Sequence, residues 1–470
     1  MQQTTNDGQW KTDNDTITAI ATPAGQAGIG IIRISGPSAY KIAKNIFRPQ
    51  NPAQKLQSHR LYLGQLYDPS LGTTIDEVLI SFMKGPRSYT REDIVEINSH
   101  SGFLLLSRIL QIVLDQGARL ARTGEFTLRA FLNGRIDLTQ AEAVVDLINC
   151  KSERGLALAS QQIHGSFRKE IELLRQKVTD ILAHTEVAID FPEEETGIMS
   201  REKAADRIEE EVIKPIQAMI ETHSRKRIWV DGINTVIVGR VNAGKSSLLN
   251  RLLNEQRAIV TSMPGTTRDF IESTITIDGL PLRLMDTAGF RKVKDEVERI
   301  GVGLTEQKLT EADFLLVVID QSRPVNEDDL NIVNQCRGKK ALIVINKIDL
   351  ISRLDQNVEH KELAGFPIAR ISALTGAGLD DLRRAIVGCL LEGDVDMTSS
   401  HATSNLRHSQ ALAEAAQFFK SAVRNTKEDA PMEIVALELK SGLDALGEII
   451  GETTSEEILD SIFSQFCLGK

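Results

Sequence analysis

The chain has 470 residues, of which 41% are hydrophobic and 26% charged, an ordinary globular composition with enough apolar material for two to four domains. Aromatic residues make up only 4% of the chain, which argues against long base-stacking platforms. The formal net charge of −10 argues against a general affinity for nucleic acids, because neutralising phosphates needs surplus Lys and Arg. An RNA partner must therefore bind a local basic patch or be bound jointly with another protein.

The four cysteines lie far apart in the chain and form no Cys-x-x-Cys pair. This spacing indicates a reducing compartment, which we interpret as the cytoplasm, with neither a disulfide framework nor a zinc site. We find no apolar run long enough to span a bilayer and no apolar segment typical of a secretion signal at the start. Residues 1–14 are polar, and we expect them to be disordered.

The first predicted domain covers residues 1–135 and has the pattern of a mixed α/β fold. Two strand-like runs, 29–35 and 93–97, each carry a charged residue among apolar neighbours, Arg33 in the first and Glu96 in the second. A charge in an apolar run is costly unless it is paired or faces a ligand. Composition alone favours one buried Arg–Glu ion pair, and a polar small-molecule site is the alternative.

The second predicted domain covers residues 136–230, and its apolar spacing is helical. We expect long amphipathic helices from about residue 138 to residue 190, ended by Phe191-Pro192. A further helical stretch from about 200 to 227 is predicted to be interrupted at Pro215, because proline lacks a backbone N–H.

The third predicted domain, residues 231–393, begins with the run Val-Ile-Val-Gly-Arg-Val-Asn-Ala-Gly-Lys-Ser-Ser from Val236 to Ser247. A β-branched strand that leads through a glycine-rich turn into a helix has the spacing of a phosphate-binding loop. Its glycines let successive N–H groups point at phosphate oxygens, and the helix adds the positive end of its dipole. Lys245 can reach the β- and γ-phosphates, and the Ser246 hydroxyl can hold Mg²⁺.

Three further motifs follow strand-like runs in the same domain. Asp286-Thr-Ala-Gly289 supplies a carboxylate for the water shell of the metal and a backbone N–H for the γ-phosphate. Asn346-Lys-Ile-Asp349 ends in a carboxylate that can accept two hydrogen bonds from guanine, a pair that adenine cannot supply. Ser372-Ala-Leu374 can close over the base through backbone N–H groups. Each of the four motifs follows a predicted strand, and ligands of an open α/β sheet bind at the carboxyl ends of its parallel strands. In this order and position, the four motifs together resemble the Ras-like GTPase domain.

Two local patterns in the second half of the chain predict particular turns and caps. Asp278-Gly279 lies between two alternating runs and predicts a β-hairpin, which Ras-like domains carry beside their first switch. Thr454-Ser-Glu-Glu457 has the pattern of a capping box at the start of a last helix.

The fourth predicted region, residues 394–470, begins with a polar linker at 394–404 and then returns to helical spacing. The apolar stripes before and after the nucleotide domain each lack a partner, so we expect them to pack on one another. The predicted fold is therefore a multidomain α/β protein with a mixed α/β N-terminal domain, a discontinuous α-helical domain and an inserted Ras-like doubly wound α/β domain.

From about residue 15 onward the chain resembles the bacterial and organellar family of tRNA-modification GTPases. The resemblance rests on Asn242 in the phosphate-binding loop, Gly265-Thr-Thr-Arg-Asp269, Asp286-Thr-Ala-Gly289, the inserted domain order and the terminal Phe466-Cys-Leu-Gly-Lys470. It implies a GTP-hydrolysing subunit that, with an FAD-dependent partner, adds a carboxymethylaminomethyl group to carbon 5 of the wobble uridine of certain tRNAs. It also implies a homodimer that forms a heterotetramer with that partner, without membrane association.

The resemblance further implies the residues that bind GTP and metals. The nucleotide-binding set is Asn242, Ala243, Gly244, Lys245, Ser246, Ser247, Thr261, Ser262, Met263, Pro264, Gly265, Thr266, Thr267, Asp286, Thr287, Ala288, Gly289, Asn346, Lys347, Asp349, Ser372, Ala373 and Leu374. Mg²⁺ would be held by Ser246 and Thr267, and K⁺ by Asn242, Thr261, Met263 and Thr266. The K⁺ would take the place of an arginine finger, because a cation that bridges the phosphates stabilises charge developing in the transition state.

Many Ras-like enzymes use a glutamine directly after the Asp-x-x-Gly motif to orient the attacking water, and this chain has Phe290 there. Considered alone, Glu298 is most simply a solvated helix residue. The resemblance implies instead that Glu298 positions the water, with Lys245 as the second catalytic residue.

For the first domain, the resemblance implies a formyl-tetrahydrofolate site across the homodimer, formed by Arg33, Glu96, Arg135 and Lys470. A glutamate can read the pterin through paired hydrogen bonds, and Arg or Lys suits the glutamate tail of the folate. The folate would supply the one-carbon unit, and we assign no chemistry to Cys467. The alternative function is a switch GTPase in ribosome assembly or RNA docking, which predicts a basic RNA-binding appendage that the net charge of −10 does not support.

Overall fold

The computed structural model describes residues 15–23, 25–53, 55–191, 199–255, 273–285, 312–354, 361–391 and 406–470. The chain divides into two units: the first is Met1–Val145, Gln162–Gln217 and Arg407–Lys470, and the second is Asp146–Gln161 and Ala218–Leu406. The predicted disorder of residues 1–14 and the predicted linker at 394–404 lie outside the described residues. The boundaries of the four predicted domains stay predictions.

The N-terminal part of the first unit is a mainly antiparallel sheet with helices packed against it, as the α/β pattern predicts. Its strands are β1 (Ile17–Ile20), β2 (Gly30–Ser35), β3 (Phe47–Pro49), β4 (Arg60–Asp68), β5 (Thr73–Met83), β6 (Ile94–Ser99) and β7 (Arg119–Leu120), and its helices are α1 (Ala39–Ile46), α2 (Phe103–Asp115) and α3 (Glu125–Leu132). The strand order is β3-β4-β5-β6-β2-β1-β7. The register of β2 with β6 places Arg33 directly opposite Glu96.

The core of this part of the chain lies between the alternating strands and helices α1 and α2. Apolar residues at every second position of β2, β5 and β6 point to one face, where they bury against the apolar stripes of α1 and α2. The members of this core include Ile32, Ile34, Ile42, Ile46, Val78, Ile80, Val95, Ile97, Ile109 and Val113.

The helical spacing after residue 136 forms helices, as predicted. These are α4 (Leu138–Asn149), α5 (Glu153–Ile163), α6 (Ser166–Asp190), α7 (Arg201–Ile208) and, after a π-helical turn, α8 (Lys214–Asp231). The longest of them, α6, ends at Asp190 with Phe191 just beyond its last residue, which confirms the predicted stop.

The predicted interruption at Pro215 is wrong. Pro215 is the second residue of α8, and the chain reaches it through a π-helical turn over Glu209–Ile213, in which the Lys214 N–H bonds to the Glu209 carbonyl oxygen. A proline removes one N–H and its ring presses on the carbonyl four residues earlier, here that of Glu211. The wider π turn takes up this crowding, so the helical run continues.

The second unit contains a doubly wound sheet. Its described strands are β8 (Ile233–Val238), β9 (Ser273–Ile277), β10 (Leu280–Leu284), β11 (Phe314–Asp320), β12 (Ala341–Asn346) and β13 (Ile368–Arg370), with helices α9 (Lys245–Glu255), α10 (Glu327–Gln335) and α11 (Leu379–Leu390). The order is β13-β12-β11-β8-β10-β9, and all neighbours are parallel except β9 with β10. β11 and β12 are buried at every residue, as expected of central parallel strands covered on both faces.

The hairpin predicted at Asp278-Gly279 is confirmed. β9 and β10 pair antiparallel from Ile277 opposite Leu280, with only the two loop residues between them. Both loop residues have positive φ, +49° for Asp278 and +83° for Gly279, which is the geometry that a two-residue hairpin favours.

The last helices of the chain belong to the first unit and are α12 (Leu406–Lys427), α13 (Met432–Ile450) and α14 (Glu456–Phe463). α13 packs along α6, so helices from before and after the inserted domain bury their apolar stripes on one another, as predicted. This confirms the discontinuous helical domain. In the part of the chain that the structure describes, we find no helix with both the length and the apolar content needed to cross a membrane.

The capping box predicted for α14 is wrong in detail. Ser455 occupies the N-cap position, but its side chain makes no capping hydrogen bond. The Thr454 hydroxyl donates to the Glu448 carbonyl oxygen at 3.5 Å, so it serves the end of α13 instead. A capping box that the sequence pattern did not reveal stands at α10, where the Asn326 and Asp329 side chains each bond the backbone of the other residue.

Candidate functional site

The phosphate-binding loop follows β8 and has the turn that its glycines permit. Gly239 has a φ of +147°, and a Cβ there would lie 2.3 Å from the Val318 carbonyl oxygen. Gly244 has a φ of +99°, and a Cβ there would lie 2.1 Å from Asn346 Nδ2. Both positions therefore exclude any side chain, and the backbone between them curls toward the N-terminus of α9.

Lys245 is the first residue of α9, and its ammonium group folds back onto the turn. Its Nζ donates to the carbonyl oxygens of Gly239 and Arg240, both at 2.7 Å. Burial lowers the pKa of Lys245, because a partly buried cation loses hydration. A phosphate would restore that lost stabilisation. Ser246 and Ser247 follow at the helix N-terminus with exposed side chains.

Asn346, at the end of β12, joins the phosphate-binding loop to the loop after β13. Its Nδ2 donates to the Ala243 carbonyl oxygen at 2.9 Å, and its Oδ1 accepts from the backbone N–H of Ala373 at 3.0 Å. Asn346 is buried, and both the nitrogen and the oxygen of its side-chain amide form hydrogen bonds with backbone groups. The structure therefore brings these predicted residues together through one side chain.

Lys347 extends this network to Asp320, which was not predicted as a site residue. Lys347 Nζ donates to the Asn242 carbonyl oxygen at 2.9 Å and to Asp320 Oδ2 at 2.6 Å. Burial would raise the pKa of the Asp320 carboxyl, but hydrogen bonds from Lys347 and Ser322 outweigh it and lower the pKa below its usual range. Asp320 ends the apolar run of β11, and a polar residue at that point of a strand was the signal that could have identified it.

Asp349 and Ser372 lie together at the side where the base is predicted. The Ser372 hydroxyl donates to Asp349 Oδ1, and the Thr375 N–H donates to Ser372 Oγ at 3.1 Å. Asp349 is exposed, and the Leu374 side chain is 80% exposed. A carboxylate at an open carboxyl end of the sheet is available to accept hydrogen bonds from a ligand.

The remaining predicted GTP and metal residues lie outside the described residues. These are Thr261, Ser262, Met263, Pro264, Gly265, Thr266, Thr267, Asp286, Thr287, Ala288, Gly289 and Glu298. Of the predicted metal ligands, the structure describes Ser246 for Mg²⁺ and Asn242 for K⁺.

In the first unit, Arg33 and Glu96 form the predicted ion pair between β2 and β6. Arg33 Nε donates to Glu96 Oε1 at 2.8 Å, and the second nitrogen lies 2.7 Å from the same oxygen. The side chains are only 19% and 24% exposed. The third guanidinium nitrogen donates to the Gly469 carbonyl oxygen at 3.1 Å, so the C-terminal segment lies at this pair.

Tyr89 connects this pair to Arg135, the third predicted residue. The Arg33 guanidinium carbon lies 5.8 Å from the centroid of the Tyr89 ring, and that of Arg135 lies 4.7 Å from it. Arg135 also donates to the Tyr89 carbonyl oxygen at 3.1 Å, and the Tyr89 hydroxyl lies 3.0 Å from Thr127 Oγ1. Tyr89 was not predicted as a site residue, although the chain has only four tyrosines.

The C-terminal segment, residues 466–470, is fixed by the burial of Phe466 and by the close approach of Gly469 to β1. Phe466 is buried with Leu459 of α14 and Leu138 of α4. Gly469 has a φ of +91°, and a Cβ there would lie 2.5 Å from the Ile20 carbonyl oxygen, so only glycine fits this approach to β1. Lys470 is half-buried, and Cys467 is exposed.

A second charged cluster in the first unit was not predicted. Arg129 is 2% exposed, and its guanidinium bonds to carboxylates of Asp15, Glu92 and Glu125. Burial would raise the pKa of Glu125, but hydrogen bonds from Arg119 and Arg129 outweigh it and lower that pKa. Glu125 and Arg129 are four residues apart on α3, a spacing that could have indicated the pair.

The doubly wound sheet, the phosphate-binding loop and the Asn-Lys-x-Asp segment at the strand ends define the second unit as a Ras-like GTPase domain. Comparison with known proteins extends this class to the whole chain. Family models described as "GTP-binding protein TrmE N-terminus" and "MnmE helical domain" match residues 16–135 and 138–467.

Two curated relatives are similar over nearly all of the chain. The tRNA modification GTPase MnmE of Geobacillus kaustophilus is 44% identical over 98% of this chain and 100% of its own length. That of Oceanobacillus iheyensis is 42% identical over 97% of this chain and 100% of its own length. The chain therefore belongs to the MnmE family of tRNA modification GTPases, which confirms the resemblance.

Among solved structures, the chain is similar to the G domain of the Thermotoga maritima FeoB iron transporter. The two are 25% identical, with coverage of 33% of this chain and 98% of that chain and a TM-score of 0.26. A TM-score this low adds nothing to the strand order described above.

Proposed function

We propose that this tRNA modification GTPase adds a carboxymethylaminomethyl group to carbon 5 of the wobble uridine of certain tRNAs. The one-carbon unit comes from a formyl- or methylene-tetrahydrofolate, and an FAD-dependent partner takes part in the reaction. The observation that carries this proposal is the convergence of Arg33, Glu96, Tyr89 and Arg135 with the C-terminal segment.

The residues of this cluster suit the chemistry of a folate. A carboxylate such as Glu96 can accept paired hydrogen bonds from the amino edge of a pterin. Guanidinium groups such as those of Arg33 and Arg135 suit the carboxylates of the glutamate tail, and Lys470 adds a further cation. The Arg33–Glu96 pair would have to open or share its hydrogen bonds on binding, because Glu96 Oε1 already accepts from Arg33.

On the GTPase side, we propose that Ser246 and Thr267 hold Mg²⁺ and that Asn242, Thr261, Met263 and Thr266 hold K⁺. Glu298 orients the attacking water, and Lys245 reaches the phosphates. Support comes from the Lys245 ammonium, which already lies over the turn, and from Asn242, whose carbonyl oxygen is fixed by Lys347. When bound by these residues, a monovalent cation would neutralise charge that develops during hydrolysis.

For the assembly, we propose a homodimer formed through the N-terminal domain, which joins the FAD-dependent partner as a heterotetramer. The reaction takes place in the cytoplasm, without a membrane. GTP turnover gates the modification in this scheme, whereas a pure switch GTPase would bind RNA without folate.

Folate binding to the full chain tests the proposal. Arg135→Gln removes an exposed guanidinium from the Tyr89 ring and leaves the Arg33–Glu96 pair intact. We expect saturable binding of 5-formyltetrahydrofolate by the unaltered chain in calorimetric titration, weakened at least about tenfold in the variant, because hydrogen bonds to charged groups contribute about 1.5–3 kcal/mol.

Arg48→Gln is a matched control, because Arg48 is also exposed and also lies over a tyrosine ring, that of Tyr67 at 4.9 Å. It should leave folate affinity unchanged, and both variants should retain GTP hydrolysis as evidence of correct folding. Absence of folate binding in the unaltered chain, or equal losses in the two variants, would contradict the proposed folate site.

A further inference from the structure

A basic depression lies on the second unit at the amino ends of its strands. It has a volume of about 460 Å³ and is bordered on one side by the turn from α10 into β12, which carries Arg337, Lys339 and Lys340. On the other side it is bordered by residues 364–367, which precede β13. None of the described residues that line it has an acidic side chain.

Arg337 and Lys340 differ from two surface arginines elsewhere in the same unit. On α11, Arg383 pairs with Asp380 and Arg384 with Asp381, as solvated helix charges usually do. Arg337 and Lys340 form no ion pair with any residue that the structure describes. On a chain with a net charge of −10, the grouping of these two cations with Lys339 creates a local positive potential.

Arg337 is held in a defined orientation. Its Nε donates to Asn334 Oδ1 at 3.0 Å, and a terminal nitrogen donates to the Glu362 carbonyl oxygen at 3.1 Å. Its guanidinium carbon lies 5.8 Å from the centroid of the half-buried Phe366 ring. A guanidinium fixed beside an aromatic ring loses little entropy when it meets an anion.

A simpler explanation is that basic residues complement the negative carboxyl end of α10. That explanation covers Arg337, two residues beyond the helix. It does not cover Lys340, which follows Gly338 and directly precedes β12. The dipole of α10 therefore accounts for Arg337 but not for the positive charge of Lys340.

The depression is separate from the nucleotide site. β12 begins at Ala341, beside the depression, and ends at Asn346, in the nucleotide network. The five steps from Ala341 to Asn346, at about 3.3 Å each, put the two places roughly 16 Å apart. A ligand could therefore occupy the depression while GTP is bound, and substitutions there should leave hydrolysis intact.

We propose that this depression binds the phosphate backbone of tRNA. The inference rests on the role of the chain in tRNA modification and gives that role a contact surface. An acidic chain needs a local basic patch to approach RNA, and the cations around Lys340 provide one. Lysine and arginine contacts of this kind read the backbone rather than the base sequence, which suits a protein that serves several tRNAs.

Binding of an unmodified tRNA transcript to the full chain tests the inference. The double substitution Lys339→Gln/Lys340→Gln should weaken binding about fivefold to tenfold near physiological salt and flatten the salt dependence by about one to two units of log–log slope. Lys41→Gln/Lys44→Gln removes the same charge from exposed positions of α1 and should change neither quantity. GTP hydrolysis should be unchanged in both variants.

Three results would overturn the inference. If the unaltered chain binds tRNA and both variants match it, the depression is not the contact, while the role in tRNA modification stands. If the unaltered chain fails to bind tRNA even at low salt, the surface and any direct docking of tRNA both fail. If the depression variant keeps its tRNA affinity but loses affinity for polyglutamate, the partner is an acidic protein segment instead.

Discussion

Asn242 and Lys347 both have backbone φ angles in the left-handed region, +64° and +67°. Residues other than glycine adopt this region at a cost of about 1 kcal/mol or more unless their surroundings hold them there. Here a hydrogen bond from Lys347 Nζ to the Asn242 carbonyl oxygen stabilises both conformations. Asp320 accepts a second hydrogen bond from the same ammonium group and fixes its position. These contacts stabilise the turn in this conformation.

The K⁺ proposal is tested at Asn242. Asn242→Gly removes the amide oxygen and suits the positive φ of this position. We expect the unaltered chain to hydrolyse GTP at least about tenfold faster in K⁺ than in Na⁺, since removing one positioned electrostatic contact typically costs about 10²–10³ in rate. The variant should be slow in both salts, with a rate ratio near one.

Val241→Ala is the neighbouring control, because Val241 is 64% exposed and has no predicted ligand role. It should keep the preference for K⁺. Equal rates in the two salts for the unaltered chain would reject a K⁺ role in hydrolysis.

A local motif is enough to identify a residue as a candidate for the site. Lys245, Asn346 and Asp349 were identified in this way, because each has a fixed position in a short sequence motif. Asp320 and Tyr89 do not, because their importance comes from partners far away in sequence, Lys347 for the first and Arg33 for the second. No spacing rule reaches across such distances.

At the scale of elements, apolar runs predicted the central strands of the second unit well, because β11 and β12 are buried on both faces. The prediction at Pro215 failed because the rule that proline breaks a helix assumes an α-helical turn before it. A single π turn changes the partner of each N–H, and no pattern of residue types revealed it.

A buried charge cluster joins α4 to α12 in the first unit. Arg407 forms two hydrogen bonds of 2.9 Å with the Glu142 carboxylate, and His408 Nε2 lies 2.6 Å from the same group. Burial would raise the pKa of Glu142, but the charges of His408 and Arg407 outweigh it and lower the pKa to about 2. The cluster connects a helix before the inserted domain to one after it.

Glu142→Gln should destabilise the helical domain by about 3 kcal/mol at neutral pH, because it leaves the largely buried Arg407 guanidinium without its counter-charge. Urea-induced unfolding followed by circular dichroism measures this loss. The folded pKa lies below the ordinary value of 4.5, so the advantage of the unaltered chain is present above about pH 4.5 and disappears as the pH falls toward about 2.

Glu172→Gln is the control, because Glu172 pairs with Arg168 on the surface and is 45% exposed. It should change stability by less than about 0.5 kcal/mol at any pH. Equal effects of the two substitutions, or a Glu142 effect that persists unchanged at pH 2.5, would show that the buried cluster does not stabilise the domain through charge.

For the molecule as a whole, the discontinuous helical domain followed from a physical argument about unpartnered apolar stripes, and α6 and α13 do pack on one another. The grouping of Asp146–Gln161 with the second unit did not follow. Helical periodicity shows that a segment needs a partner, but it does not say which neighbour provides it. Ser152, for example, donates to the Trp229 carbonyl oxygen at 2.8 Å, a contact that only the folded chain reveals.

The most direct test of the central claim, that GTP hydrolysis gates a folate-dependent modification of tRNA, is to quantify modified wobble uridine by nucleoside mass spectrometry. The reaction contains the full chain, an FAD-dependent partner, tRNA transcript and methylene-tetrahydrofolate, with either GTP or a non-hydrolysable GTP analogue. We predict that the carboxymethylaminomethyl product forms only when GTP is hydrolysed and folate is present. Equal product with the analogue, or without folate, would contradict the claim.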